Sequence, residues 1–156
     1  MMPVEIERKF SVIGRPWEQV GMGVSIRQAY LSKNENTTVR IRVAGDEAWL
    51  TVKGPTRGIS RDEFEYSIPR SDAESLLELC GDGVIQKTRY RLLEQGSVFE
   101  VDVFEGANQG LVVAEIELAS ESQDFFRPDW LGEELSFDPR YRNSELSTRP
   151  YSSWDD

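Results

Sequence analysis

Acidic side chains separated by one residue recur along this chain, and the first such pair lies near its amino end. Residues 4–10 alternate between charged and apolar types, so a strand here would place Glu5, Glu7 and Lys9 on one face. Carboxylates two positions apart on a strand are roughly 6.5 Å apart, which is too far to share a proton but suits the binding of hard cations together with a third carboxylate. In isolation, such a motif is more often the solvated side of an ordinary strand.

The composition limits the chemistry that these side chains can do. The 156 residues include no histidine and one cysteine, Cys80, so a histidine-activated nucleophile, most zinc sites and an internal disulfide are excluded. The net charge of −10 argues against nucleic acid and anionic membranes as partners. No signal peptide or membrane span is predicted, so we expect a cytoplasmic protein. Any reaction must use carboxylates, Lys, Arg, Tyr and metal-bound water.

Alternation of the same kind predicts eight strands joined by short connections, which indicates an antiparallel barrel or sandwich in one domain over residues 1–150. The predicted strands span residues 4–10, 24–31, 37–43, 48–53, 61–66, 84–93, 97–104 and 112–118. The dipeptides Gly45-Asp46 and Gln95-Gly96 predict tight hairpins.

Helical patterns are few. Residues 71–80 predict one clear helix, with Ser71 as its N-cap and Glu74 completing a capping box. Residues 125–147 predict irregular structure with short helical pieces near 130–134 and 143–147, and residues 151–156 predict a loose tail.

The charged face of the predicted strands is unusual, because its members occur as like-charge sets that repel when placed side by side. It carries eight acidic and eight basic residues: Glu5, Glu7, Glu63, Glu65, Glu100, Asp102, Glu115, Glu117, Lys9, Arg40, Arg42, Lys53, Arg61, Lys87, Arg89 and Arg91. If this face were solvated, the protein would be an ordinary sandwich. If it lined a barrel, the cost of burying unpaired charges would require water, metal ions and a charged ligand. A metal-bound polyphosphate meets both needs.

Eight motifs in order resemble the CYTH domain, or triphosphate tunnel metalloenzyme, family, which includes class IV adenylyl cyclases, thiamine triphosphatases and inorganic triphosphatases. The motifs are Glu5-x-Glu7-x-Lys9, Ala29-Tyr30-Leu31, Val39-Arg40-Ile41-Arg42, Thr51-Val52-Lys53-Gly54, Arg61-x-Glu63-Phe64-Glu65-Tyr66, Lys87-x-Arg89-Tyr90, Glu100-Val101-Asp102 and Glu115-Ile116-Glu117. Residues 137–144 resemble the short bacterial members, whose final helix closes one end of the tunnel. The resemblance implies an eight-stranded antiparallel barrel around a charged tunnel, with a few peripheral helices.

The resemblance also implies roles for individual residues. The implied ligands of Mg²⁺ or Mn²⁺, with two ions present during turnover, are Glu5, Glu7, Asp102, Glu115 and Glu117. The implied phosphate-binding residues are Arg40, Arg42, Lys53, Lys87 and Arg89, with Arg61 and Arg91 as neighbours. Glu63, Glu65 and Glu100 would orient these bases. Lys9 and Tyr30 resemble a catalytic pair, although Tyr30 equally suits packing in the barrel.

The activity expected from this resemblance is hydrolysis of inorganic triphosphate to pyrophosphate and phosphate. A class IV adenylyl cyclase, a thiamine triphosphatase, a nucleoside triphosphatase and a triphosphate-binding module without catalysis remain alternatives, because one fold hosts several functions. The expected partner is a small-molecule triphosphate, without nucleic acid or membrane. The oligomeric state stays open, with a homodimer as the assembly to consider.

Overall fold

The computed structural model describes residues 3–154, which form nine strands and two α-helices. The strands are β1 (Val4–Val12), β2 (Val24–Lys33), β3 (Thr38–Ala44), β4 (Glu47–Lys53), β5 (Ser60–Ser67), β6 (Ile85–Glu94), β7 (Ser97–Phe104), β8 (Val112–Glu117) and β9 (Leu131–Glu134). The helices are α1 (Arg70–Leu79) and α2 (Asn143–Leu146). Within this described part, no helix has the length and apolar character needed to cross a membrane.

The first eight strands close into an antiparallel barrel. They pair in the order β5-β4-β3-β2-β6-β7-β8-β1, and β1 completes the circle by pairing with β5 over Val4–Ile6. Further along the same edge, β1 pairs with β9. The predicted barrel is therefore confirmed. The helical piece predicted near residues 130–134 is wrong, since this segment adds the ninth strand. Gly132 permits the pairing, because a Cβ there would collide with Ser11.

Apolar residues on the outer face of the barrel are buried beneath other parts of the chain. Ala73 and Leu77 of α1 pack in a cluster with Ala29 and Ile41. On another side, Phe125, Trp130 and Leu131 cover a cluster of buried residues, namely Phe10, Phe99, Ile116 and Leu118. Burial of one large apolar side chain stabilises a fold by about 1.5–3 kcal/mol. Because these segments bury the outer face of the barrel, its apolar residues can point outward and its charged residues inward.

The start of α1 differs from the prediction. The helix begins at Arg70, and its N-cap is Pro69, which offers no side-chain cap. Ser71 therefore lies inside the first turn, and Glu74 forms an ion pair with Arg27 of β2. The capping-box prediction is wrong, because a helix that starts one residue earlier leaves Ser71 unable to act as N-cap.

One end of the barrel interior is closed by an apolar cluster. The inward residues Ile85, Phe104 and Val113 pack with Leu111 and with Leu146 of α2. Beyond α2, Tyr151–Ser153 form a 3-10 turn.

The last described residues are packed and do not form the loose tail expected for 151–156. Trp154 lies edge-to-face on Tyr141, with ring centroids 5.1 Å apart. The backbone N–H of Tyr151 donates to Oδ1 of Asn108 at 2.8 Å. These contacts tie residues 151–154 to the barrel, whereas residues 155 and 156 lie outside the described part.

Candidate functional site

The charged faces of the strands surround a cavity of about 250 Å³ inside the barrel. Its charged lining consists of Glu5, Glu7, Glu63, Glu65, Glu100, Glu115, Glu117, Asp138, Lys9, Arg40, Arg42, Lys53, Arg61, Lys87, Arg89 and Arg142. The balance of eight acids and eight bases predicted from the sequence is retained, but two members differ. Asp138 and Arg142 line the cavity, whereas Asp102 and Arg91 do not.

The acidic wall is formed mainly by β1 and β8, which are neighbours in the barrel. Strand register places Glu7 opposite Glu117 and Lys9 opposite Glu115. The Lys9 Nζ atom donates to Oε1 of Glu115 at 3.1 Å and lies 3.7 Å from Glu7. Nearby, Lys53 Nζ lies 2.9 Å from Glu5. Two lysines thus hold three carboxylates of this wall, those of Glu5, Glu7 and Glu115.

The two lysines do not neutralise the acidic wall fully. Burial, followed by the nearby charge of Glu115, raises the pKa of Glu7 to about 8. Burial alone would raise the pKa of Glu115 also, but Lys9 and then Arg89 hold it well below its usual range. Burial and the charge of Glu5 raise the pKa of Glu117. The wall therefore carries unfavourable crowding of negative charge, which a bound cation would relieve.

The carboxylates fit a divalent cation by their chemistry. Oxygen ligands are those that Mg²⁺ and Mn²⁺ prefer, and Glu5, Glu7, Glu115 and Glu117 all reach the cavity. In residues 3–154, no three acidic groups already converge to metal-binding geometry. In this arrangement Lys9 pairs with Glu7 and Glu115, and Lys53 pairs with Glu5.

The basic wall lies across the cavity, on β3 and β6 on either side of β2, and presents Arg40, Arg42, Lys87 and Arg89. The Nη2 atom of Arg40 donates to Oγ1 of Thr51 at 3.3 Å. Its Nε atom is buried and has no hydrogen-bond partner among residues 3–154. A buried donor without an acceptor is unfavourable, so Arg40 is poised to receive an anion.

Arg61, another predicted base, also reaches the cavity, but its side chain is held by the backbone. Its Nε and Nη2 atoms donate to the carbonyl oxygen of Gly54 at 3.1 and 2.8 Å. Burial lowers its pKa. Three acids contact the bases that they were expected to orient: Glu63 lies 3.3 Å from Lys53, Glu65 3.8 Å from Arg40 and Glu100 3.5 Å from Arg89.

Asp102 lies among cations and does not reach the cavity. Its Oδ1 and Oδ2 atoms accept from Arg89 at 2.8 and 2.9 Å, and Lys87 Nζ lies 2.7 Å from Oδ2. Although burial would raise the pKa of Asp102, Lys87 and Arg89 lower it. The expected role as a metal ligand does not match this arrangement, because both oxygens already bind cations. Its position fits a role in orienting the two bases.

Lys9 and Tyr30, the expected catalytic pair, both line the cavity but lie on different walls. Lys9 is held by Glu115 on the acidic wall. Tyr30 lies on β2 opposite Arg40 on β3. Among the hydrogen bonds of the described chain, none joins the two side chains. Each therefore reaches the cavity independently.

Sequence reasoning missed Arg142 and Asn143, which α2 and its preceding residue bring to the cavity. Asn143 Oδ1 accepts from Gln28 Nε2 and from Lys87 Nζ, each at 3.0 Å. The sequence signal for these residues is the segment 137–144, whose resemblance indicates an element that closes the tunnel but does not indicate that the segment lines the site. Arg91 lies instead in a second polar cavity, which shares Glu100 and Glu117 with the first.

A closed barrel with facing acidic and basic walls defines a protein that can hold a compact anion and a cation together. The chain belongs to the CYTH domain family, whose model matches residues 3–151. The CYTH triphosphatases of this family are metal-dependent.

Individual relatives are similar over almost their full lengths. An inorganic triphosphatase of Acetivibrio thermocellus is 47% identical over 154 residues, which are 98% of this chain and 99% of the relative. An inorganic triphosphatase of Nitrosomonas europaea is 38% identical over 147 residues, which are 92% of this chain and 96% of the relative. A crystal structure of an inorganic triphosphatase aligns with a TM-score of 0.67 at 35% identity and covers 92% of this chain and 93% of its own.

Proposed function

We propose that this protein hydrolyses inorganic triphosphate to pyrophosphate and phosphate with the help of Mg²⁺ or Mn²⁺. The observation that carries the proposal is the cavity itself, in which a wall of carboxylates faces a wall of arginines and lysines. A linear triphosphate bound to divalent cations carries the charges that both walls require. The two inorganic triphosphatases that align over nearly the whole chain support the same substrate.

The size and polarity of the cavity favour an inorganic substrate over a nucleotide or thiamine triphosphate. Its volume of about 250 Å³ is below the roughly 300–1,000 Å³ typical of pockets for drug-sized organic ligands. Tyr30 is the only aromatic residue in its described lining. An organic base or thiazole ring would need an apolar surface on which to lie, and this lining is dominated by charge.

Glu5, Glu7, Glu115 and Glu117 are the residues that would hold the metal ions, and two ions would be present during turnover. Bound divalent cations neutralise phosphate charge and lower the pKa of a coordinated water molecule. The chain itself positions these carboxylates on adjacent strands, and Lys9 and Lys53 hold three of them, Glu5, Glu7 and Glu115, before substrate arrives. We assign Asp102 to orienting Lys87 and Arg89, and not to the metal.

The basic wall would bind the phosphate groups and stabilise charge on the departing one. Arg40 and Arg42 suit bidentate contacts with phosphate, while Lys53 and Lys87 act more as point charges. When water adds to a terminal phosphorus, the bond from that phosphorus to the bridging oxygen breaks, and pyrophosphate leaves with the bridging oxygen. Arg40, with its buried Nε donor available, is placed to contact the substrate throughout.

Replacing Arg40 should weaken substrate binding. Arg40→Ala removes a contact made in both ground and transition states, so KM for tripolyphosphate should rise roughly 10- to 100-fold while kcat changes little. Steady-state kinetics measure this split. Arg70→Ala, which removes an exposed base outside the cavity, is the matched control. An unchanged KM would count against a phosphate contact by Arg40.

Replacing Lys9 should affect turnover. Lys9→Met removes a positive charge held by two carboxylates at the acidic wall, and kcat should fall roughly 100-fold if this charge stabilises the transition state. Lys9→Arg, which keeps the charge, should recover part of the rate. If the Met variant changes KM alone, Lys9 is a substrate ligand and not a catalytic residue.

The products test the proposal directly. Phosphorus NMR of a tripolyphosphate reaction with Mg²⁺ should show pyrophosphate and phosphate appearing in equal amounts. Phosphate alone, in three equivalents, would indicate stepwise degradation and contradict the proposed reaction. The absence of products with tight binding of tripolyphosphate would indicate a binding module.

A further inference from the structure

A continuous chain of polar contacts joins the last helix to the basic wall. Arg42 Nε donates to Oε1 of Gln28 at 2.8 Å, and Gln28 Nε2 donates to Oδ1 of Asn143 at 3.0 Å. The same Asn143 oxygen accepts from Lys87 Nζ at 3.0 Å. Lys87 in turn pairs with Asp102 at 2.7 Å. One amide oxygen on α2 therefore links a cation of β3 to a cation of β6.

The packing of α2 fixes the position of that amide. Leu146 is buried in the apolar cluster that closes the barrel, and Asn143 lies three residues earlier, on the same side of the helix. Outside the barrel, Lys33 Nζ donates to the carbonyl oxygen of Ser144 at 2.7 Å and to Oγ of Ser147 at 2.8 Å. The helix is thus held from both sides, and the Asn143 amide is directed at the basic wall.

Because the linked groups are buried, the orientation of their side chains depends on these contacts. Gln28 and Lys87 are both 0% exposed, so a donor without an acceptor at either position would be strongly unfavourable. Lysine and arginine side chains have many rotamers. When such a side chain is buried, it adopts the rotamer that places its donor against an acceptor. Without Asn143, Lys87 would keep its contact with Asp102 but lose the second acceptor, which fixes the orientation of its ammonium group.

The contacts also leave donors for a substrate. Arg42 uses Nε for Gln28, which leaves both of its terminal nitrogens for a bidentate contact with phosphate. Lys87 has three donors, two of which are used by Asn143 and Asp102. The arrangement therefore orients both cations without consuming their capacity to bind an anion.

We propose that Asn143 and Gln28 are positioning residues for the triphosphate, acting through Lys87 and Arg42. The last helix then contributes to substrate affinity, in addition to closing the barrel. The proposal rests on the proposed function for the identity of the anion. Neither residue needs to touch the reacting atoms, so the main effect of replacing one falls on affinity.

Calorimetric titration with imidotriphosphate and Mg²⁺ tests the proposal, because nitrogen in place of the bridging oxygens prevents turnover. Asn143→Leu, which is close in volume, should weaken binding roughly 10-fold, the size expected for one hydrogen bond to a charged group. Gln28→Met should weaken it similarly from the barrel side. Glu145→Ala, on the exposed face of the same helix, is the matched control and should bind as the wild type does.

A double-mutant cycle separates positioning from a structural effect of α2. In a Lys87→Met background, Asn143→Leu should weaken binding about 3-fold or less, because most of its effect passes through Lys87. Equal losses in both backgrounds, or wild-type affinity of both Asn143→Leu and Gln28→Met, would overturn the inference. If wild-type protein neither binds imidotriphosphate nor releases phosphate from tripolyphosphate, the proposed function fails instead, and the two failures are distinct.

Discussion

Glu7→Gln is expected to lower kcat/KM for tripolyphosphate by at least about 100-fold while the barrel remains folded. Glu7 faces Glu117 across the β1–β8 pair and lies in the acidic wall proposed to hold the metal ions. The amide keeps the shape of the side chain but removes the charge that attracts a cation. Steady-state kinetics with Mg²⁺ and circular dichroism measure the two parts of this prediction.

The same substitution should stabilise the metal-free protein in a defined pH range. The pKa of Glu7 is raised from 4.5 in the reference state to about 8 in the folded protein, so protonation of Glu7 favours folding. This contribution is fully present below pH 4.5 and is lost as the pH rises toward about 8. The advantage of Glu7→Gln over the wild type in thermal unfolding should therefore grow across this range.

The control for Glu7 is Glu133→Gln, which removes one negative charge from an exposed position on β9. Glu133→Gln should retain wild-type turnover. Its difference from the wild type in thermal unfolding should not grow with pH as that of Glu7→Gln does. Near wild-type turnover of Glu7→Gln would contradict the metal assignment. If the thermal stability of Glu7→Gln and of the wild type changed equally with pH, crowding among the carboxylates would not raise the pKa of Glu7.

Asp102→Asn is expected to destabilise the protein by about 3–5 kcal/mol, with or without metal. Asp102 is fully buried and pairs with both Lys87 and Arg89, so its loss leaves these buried bases without their counter-charge and acceptor. Denaturant unfolding in chelator measures the change in the free energy of unfolding. Tripolyphosphate binding should weaken as well, because both bases lose the group that orients them.

This prediction distinguishes the two roles considered for Asp102. A metal ligand would leave stability in chelator unchanged and would raise the Mg²⁺ concentration needed for activity. Asp46→Asn, at an exposed hairpin position, serves as the control and should unfold like the wild type. Wild-type stability of Asp102→Asn in chelator would contradict the orienting role and favour a role of Asp102 as a metal ligand.

The strand pattern alone leaves a barrel and a sandwich open, and the resemblance to the CYTH family predicts the barrel; the charged face adds support. Like charges at alternate positions, as in Arg40 and Arg42 or Glu115 and Glu117, are unfavourable on a solvated face, so their repetition indicated a lined interior. The structure places these side chains in one cavity. Periodicity of two reports which residues share a face, but it does not report which face is the interior.

Periodicity could not report which partners a residue meets within that face. Asp102 shares its face with the cavity residues, but strand register sets it opposite Arg89, and its depth places Lys87 beside it. Arg142 and Asn143 were missed for a different reason. They lie outside the alternating strands, and their position depends on the burial of Leu146, which is a tertiary contact.

Short elements were also poorly predicted. The strand β9 has four residues and owes its pairing to the close approach of Gly132 to Ser11, a contact with no local sequence pattern. The start of α1 is set at Pro69 and not at Ser71. The pairing of β9 is therefore decided by packing between distant segments, whereas the start of α1 differs from the prediction by the position of its N-cap.

The most direct test of the proposed function compares phosphate release from tripolyphosphate, ATP and thiamine triphosphate, each with Mg²⁺, with Mn²⁺ and with chelator. Cyclic AMP is measured in the ATP reaction. The cavity predicts metal-dependent turnover of tripolyphosphate that exceeds turnover of both organic triphosphates. Cyclic AMP formation, preferred turnover of an organic triphosphate, or undiminished activity in chelator would contradict a metal-dependent inorganic triphosphatase.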